Sequence, residues 1–114
     1  MPNDSLELLR GTLDLLIMRA LSVQETHGYG VARWIERATG DALQIEEGSL
    51  YPALYRLQQR GCIDSEWGFS ENNRRARFYQ LTRKGKQQLA TETETFARFA
   101  RAVFLALGIR PATA

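Results

Sequence analysis

A helix with a proline near its start, a glycine at its end, and one apolar stripe opposite one polar face has few places to sit. Gly48-Ser49-Leu50-Tyr51-Pro52-Ala53-Leu54-Tyr55-Arg56-Leu57, with Gly61 shortly after, is such a segment. The spacing predicts a helix from about Glu47 to Arg60. At about 100° per residue, Leu50, Ala53, Leu54 and Leu57 share roughly a third of its circumference. Ser49, Pro52, Tyr55, Arg56 and Gln59 fall on the opposite side, with Tyr51 and Gln58 at one border. Pro52 is acceptable only because it lies in the first turn or so.

The flanking segments build a domain around that helix. Leu6, Leu9, Leu13, Leu16, Ile17, Ala20 and Leu21 recur at helical spacing, with Asp4 or Ser5 available as a cap. Leu8, Leu15 and Met18 would lie on a second side of this first helix, which suggests a partner surface. Val23 to Thr26 reads as a connection, and His27-Gly28-Tyr29-Gly30 opens a second helix with Tyr29, Ala32 and Ile35 inward and Gly40 as its stop. Ile63 to Phe69 and Ala76 to Leu81 read as strands joined by the polar turn Ser70-Glu71-Asn72-Asn73-Arg74-Arg75. Thr82 then caps a final helix to about Leu107, about 36 Å long at about 1.5 Å per residue. Leu89, Phe96 and Val103 are spaced by seven along it, and Phe99 and Ala106 add a second seam position.

This order predicts a mainly α protein of α+β type: a winged helix-turn-helix with a long C-terminal dimerisation helix. Residues 1–82 would form the winged domain, 83–108 the dimerisation helix and 109–114 a flexible tail. The 114 residues allow one modest core.

Charge is informative only through its placement, because the formal net charge is just +2. From Asn72 to Thr91 there are six basic residues and no acidic ones, leaving nine basic residues against thirteen acidic elsewhere. A local positive patch of this kind draws polyanions. The polar face of the third helix beside a basic ribbon suggests contact with double-stranded DNA. The candidate contacts are Ser49, Tyr51, Pro52, Tyr55, Arg56 and Gln59 on the helix, and Asn72, Asn73, Arg74, Arg75 and Arg77 on the ribbon. Arg56 and Gln59 carry the side chains that read guanine and adenine in bidentate fashion. For Tyr51 and Tyr55 the alternative is packing, and for Arg74 and Arg75 a solvated loop. For the whole domain, the alternative is a protein- or RNA-interaction module without operator specificity.

Other chemistry lacks its parts. Gly48-Ser49-Leu50 lacks the second glycine of a nucleophile elbow, and no histidine follows it to serve as base. His27 and Cys62 are the one histidine and the one cysteine, and 35 positions separate them, so neither a disulfide nor the usual zinc set is expected. No catalytic residue, metal or cofactor is expected. No run reaches the roughly 18 apolar residues of a membrane span. The first residues lack the basic region of a signal peptide, so a cytoplasmic location is expected.

Four segments carry a further resemblance: Leu9-Arg10-Gly11-Thr12-Leu13-Asp14-Leu15-Leu16-Ile17, His27-Gly28-Tyr29-Gly30, Gly48-Ser49-Leu50-Tyr51-Pro52-Ala53-Leu54 and Arg77-Phe78-Tyr79-Gln80-Leu81-Thr82-Arg83-Lys84-Gly85. Together, in this order, they resemble the PadR family of bacterial transcriptional regulators, in its short form with a single C-terminal helix. The resemblance implies a homodimeric DNA-binding protein, usually a repressor released by a small-molecule effector or another signal. It implies dimerisation through the last helix, aided by the first, and a role for Tyr51 in binding DNA. A small apolar or aromatic effector would lie near Leu8, Leu15, Phe96, Phe99 and Val103, which with Leu89 are equally candidates for plain dimer core. Family members that sandwich flat drugs use a tryptophan on the last helix; this chain has Phe96 and Phe99 there and no Trp.

Overall fold

A computed structural model describes residues 2–110, with side chains from residue 11 onward. Leu8, and with it Leu6 and Leu9, therefore lies outside the described side chains, and residues 111–114 of the expected tail lie outside the described residues. Among the described residues the elements are α1 (Pro2–Val23), β1 (Thr26–His27), α2 (Gly28–Ala38), α3 (Glu47–Gln59), β2 (Ile63–Phe69), β3 (Arg75–Leu81) and α4 (Arg83–Leu107). Helix α1 starts ahead of the expected cap at Asp4 or Ser5, with Pro2 at a first-turn position that needs no N–H.

The core gathers one stripe from each of the first three helices. Leu13, Ile17, Met18, Ala20 and Leu21 of α1 meet Val31, Ala32 and Ile35 of α2 and Leu50, Ala53, Leu54 and Leu57 of α3. Ile63 and Tyr79 close it from the sheet. Met18, expected on a partner-facing side, is fully buried instead, because α2, α3, α4 and β3 all pack on α1. The second apolar side of α1 is thus covered at Met18 by the chain itself. Tyr29, expected inward, is 67% exposed. The inward stripe of α2 runs through Gly28, Val31, Ala32 and Ile35, and Tyr29 stands one helical step off it.

The sheet is antiparallel with the order β1-β3-β2. Thr26 pairs with Tyr79 and His27 with Phe78, so part of the expected connection is a short third strand. Three helix boundaries have a local cause. The His27 imidazole accepts from the Gly30 N–H at 3.1 Å and caps α2. Gly61 ends α3 at φ +78° and Gly108 ends α4 at φ +73°, the left-handed region where glycine is least strained.

The junction before α4 is tight. Thr82 Oγ1 accepts from the Gly85 N–H at 3.0 Å. The same hydroxyl shares its proton between the carbonyls of Gly61, at 2.7 Å, and Cys62, at 3.0 Å. Gly85 is buried so closely that a Cβ there would land on the Cys62 carbonyl oxygen. Arg60 and Glu92 add an ion pair at 3.2 Å between the end of α3 and α4. Farther out α4 loses its cover: Phe96, Phe99, Leu105 and Leu107 are exposed, with Phe99 at 62%.

Candidate nucleic-acid interface

Four buried side chains fix the rotation of α3, and that rotation dictates what faces out. Each buried leucine contributes on the order of 2 kcal/mol relative to exposure. Opposite them Tyr55 is 65% exposed and Tyr51 46%, while Pro52 and Gln59 are exposed and Ser49 is half-buried. Tyr51 is held from behind by α2. A Cβ on Gly28 would come within 2.8 Å of the Tyr51 hydroxyl and 2.9 Å of its Cε1. Glycine at position 28 is what allows the ring to lie against the start of α2.

Arg56 takes a different course from its neighbours. It stands at the border of the α3 stripe, and its Nη2 donates to Asp14 Oδ1 of α1 at 2.9 Å. Both side chains are largely covered. The side chain expected along the outward face thus braces α3 against α1.

The wing is built by strand register. Ser65 lies opposite Tyr79, Trp67 opposite Arg77 and Phe69 opposite Arg75. With side chains alternating along each strand, these six share one face. The turn closes through Ser70, which donates its N–H to the Arg74 carbonyl at 2.9 Å and accepts from the Asn73 N–H at 2.8 Å. Asn73 sits at φ +59°, a conformation asparagine tolerates. Asn72, Asn73, Arg74 and Arg75 are exposed at and beside the tip.

Arg77 is half-buried and anchored. Its Nε and Nη2 donate to Ser65 Oγ at 3.1 and 2.7 Å, and that hydroxyl donates to Gln58 Oε1 of α3 at 3.1 Å. The chain Gln58–Ser65–Arg77 ties α3 to the root of the wing. Burial pushes the Tyr79 phenol above the usual tyrosine range; Arg77 works against this shift and Tyr51 adds to it. Tyr79 therefore keeps its proton at neutral pH.

Sequence patterns do not single out Trp67, which is 54% exposed with the Arg75 and Arg77 guanidinium carbons 4.3 and 5.1 Å from its ring centroid. The signal lies in the hairpin register, which sets Trp67 across from Arg77. At the tip, Glu71 Oε1 lies 3.8 Å from His27 Nε2, linking the wing to β1. On the other candidate surface, Leu15 and Val103 are half-buried, Leu89 packs against the core, and Phe96 and Phe99 are exposed. No group of acidic, histidine and cysteine side chains suited to a metal occurs among the described residues. No described helix is long and apolar enough to cross a membrane.

A helix with an outward polar and aromatic face, flanked by a basic two-stranded wing, defines a winged helix-turn-helix. Known proteins agree. The profile of the Transcriptional regulator PadR-like family matches residues 17–91. An uncharacterized protein from Lysinibacillus sphaericus is 28% identical over 91 residues, covering 80% of this chain and 84% of that protein. The solved structure of a transcriptional regulator from Clostridium thermocellum superposes with a TM-score of 0.77 at 27% identity, over 85% of this chain and 94% of that one. A PadR-like transcriptional regulator from Bacillus cereus gives 0.74 at 26% identity, over 89% and 96%. This chain belongs to the PadR-like family of transcriptional regulators. It is a DNA-binding regulator and not an enzyme.

Proposed function

We propose that the chain acts as a homodimeric repressor on a near-palindromic operator, with α3 in the major groove and the wing on the flanking backbone. The observation that carries this reading is the Gln58–Ser65–Arg77 chain, which holds the outward face of α3 and the basic wing in one frame. Ser49, Tyr51, Pro52, Tyr55 and Gln59 form the helix part of the DNA-facing set. Asn72, Asn73, Arg74, Arg75 and Arg77 form the wing part. Arg56 braces α3 through Asp14 and supports that set from behind.

Residues 1–82 serve as the DNA-binding unit and residues 83–108 as the dimerisation helix. Phe96 and Phe99 of α4, both exposed, share a face with Leu89, Val103 and Ala106 and supply an apolar seam that a second α4 would cover. A small apolar or aromatic effector seated between the last helix and the first, near Leu15, Phe96, Phe99 and Val103, would change the separation of the two reading helices and release the operator.

Selection of a random duplex pool at near-physiological salt tests the reading. Enrichment of an inverted repeat with half-sites about one helical turn apart is expected. No enrichment overturns the operator in favour of a protein- or RNA-interaction module, and a monomer in sedimentation at micromolar protein overturns the dimer and with it the operator's symmetry. Replacing Arg74 and Arg75 by Ala should lower the salt slope of binding by up to about 0.9 for each phosphate that is no longer neutralised.

A further inference from the structure

The fold gives no account of an exposed tryptophan at the outer end of a two-stranded ribbon. Trp67 adds nothing to the buried core, yet two cations of its own chain rest against its ring. The Arg75 guanidinium carbon is 4.3 Å from the centroid and that of Arg77 is 5.1 Å, both inside the range of a cation–π contact. Arg77 is held a second time, through Ser65. The Arg75 guanidinium has no hydrogen bond or ion pair among the described residues, so the ring is what orders it. No carboxylate pairs with either arginine among the described residues, and their remaining N–H groups are available to an external anion.

We infer that Trp67 is a positioning residue for DNA binding, whose ring holds Arg75 and Arg77 together as a preformed clamp for backbone phosphate. The inference rests on the DNA-binding reading of the wing and assigns it a residue outside the DNA-facing set above. The physical reason is entropic. A free arginine side chain loses much of its rotamer freedom when it grips a phosphate, and one already stacked loses less. The register makes this possible, since Trp67 faces Arg77 directly and Arg75 stands two residues along the same face.

The test uses the full chain and a fluorescent mixed-sequence duplex of about 30 base pairs, because phosphate contacts need no operator. Trp67→Leu should weaken binding about three- to tenfold, because it removes the ring from two exposed cation–π pairs. Its salt slope should match that of the unmodified chain, since no charge is removed. In an Arg75→Gln, Arg77→Gln background, Trp67→Leu should have no further effect. Trp67→Phe, which keeps a ring, should bind within about threefold of the unmodified chain.

Unchanged binding by Trp67→Leu overturns the inference. So does a full additional loss in the double-arginine background, which would mean that the ring touches DNA itself. If Trp67→Leu melts early, Trp67→Phe decides, and a loss of about tenfold or more overturns the inference. Failure of the unmodified chain to bind the duplex at low salt overturns both the DNA-binding reading and the clamp. Failure confined to the cycle of variants overturns the clamp alone.

Discussion

Helix α3 places its outward tyrosines over four buried side chains, Leu50, Ala53, Leu54 and Leu57. The β2–β3 ribbon beyond Ser65 buries nothing fully: Trp67, Phe69, Arg74 and Arg75 stand exposed, and Arg77 is half-covered. One half of the candidate interface takes its geometry from close packing and the other from hydrogen bonds and a stacked ring. Packed cores resist small displacements, whereas a ribbon held by polar contacts can follow the surface it meets. A reader of base edges needs the first property, and a grip on backbone phosphate tolerates the second.

Leu54→Ala probes the packed half most severely. It should cost about 2–4 kcal/mol of unfolding free energy in denaturant titration, because it opens a cavity under α3. The Arg74→Ala, Arg75→Ala pair should stay within about 0.5 kcal/mol of the unmodified chain. Similar losses for both would abolish the distinction between the two halves.

Gly28→Ala sharpens it at one residue. The added methyl must displace the Tyr51 ring, at about 1–3 kcal/mol for an overpacked site. DNA affinity should fall along with stability. Combining it with Tyr51→Ala should restore much of the stability but not the affinity. A folded Gly28→Ala protein with ordinary affinity would show that the seat of Tyr51 does not matter.

Asp14→Asn removes the charge behind Arg56. A loss of about 1 kcal/mol is expected for a pair that is mostly covered yet still reached by water. No change in stability would return Arg56 to the outward face as a base reader.

The smallest effect is alkaline. The Tyr79 phenol titrates above the ordinary value of 10.0 in the folded chain, so the unfolded chain gives up its proton first. Stability should be unaffected by this group below that pH and fall as pH rises through the folded value. Tyr79→Phe should remove this part of the decline, as read from denaturation midpoints across the alkaline range.

The parts legible in the sequence are those with a local cause. The stripe of α3, the β-rich run Ile63–Phe69, the Thr82 cap and the end of the last helix at Leu107 each depend on a few adjacent residues, and each stands where the spacing puts it. The parts that escape it depend on what lies across the fold. Two residues are too few for alternation to reveal β1, whose existence rests on Tyr79 and Phe78 of another strand. Met18 departs from its expected side because α2, α3, α4 and β3 all pack on α1, and Tyr29 because the docking of α2 turns Val31, Ala32 and Ile35 inward. Arg56 and Asp14 are 42 positions apart, and only the docking of α3 on α1 brings them together. Trp67 and its arginines need the register of the hairpin, which the turn Ser70 to Arg74 sets.

The junction at Thr82 has a mechanical consequence. One hydroxyl spans the carbonyls just beyond α3 and the Gly85 N–H in the first turn of α4, and Gly85 leaves no gap in which the two could slide. Helix α4 extends about 37 Å from that point at about 1.5 Å per residue. It is a lever rooted beside the end of α3 and resting on α1. A sideways push of about 5 Å at the far tip corresponds to a swing of about 8° at the root, over that rise per residue. There the Thr82 hydroxyl, the bare Cα of Gly85 and the Arg60–Glu92 pair hold the shaft to the end of α3.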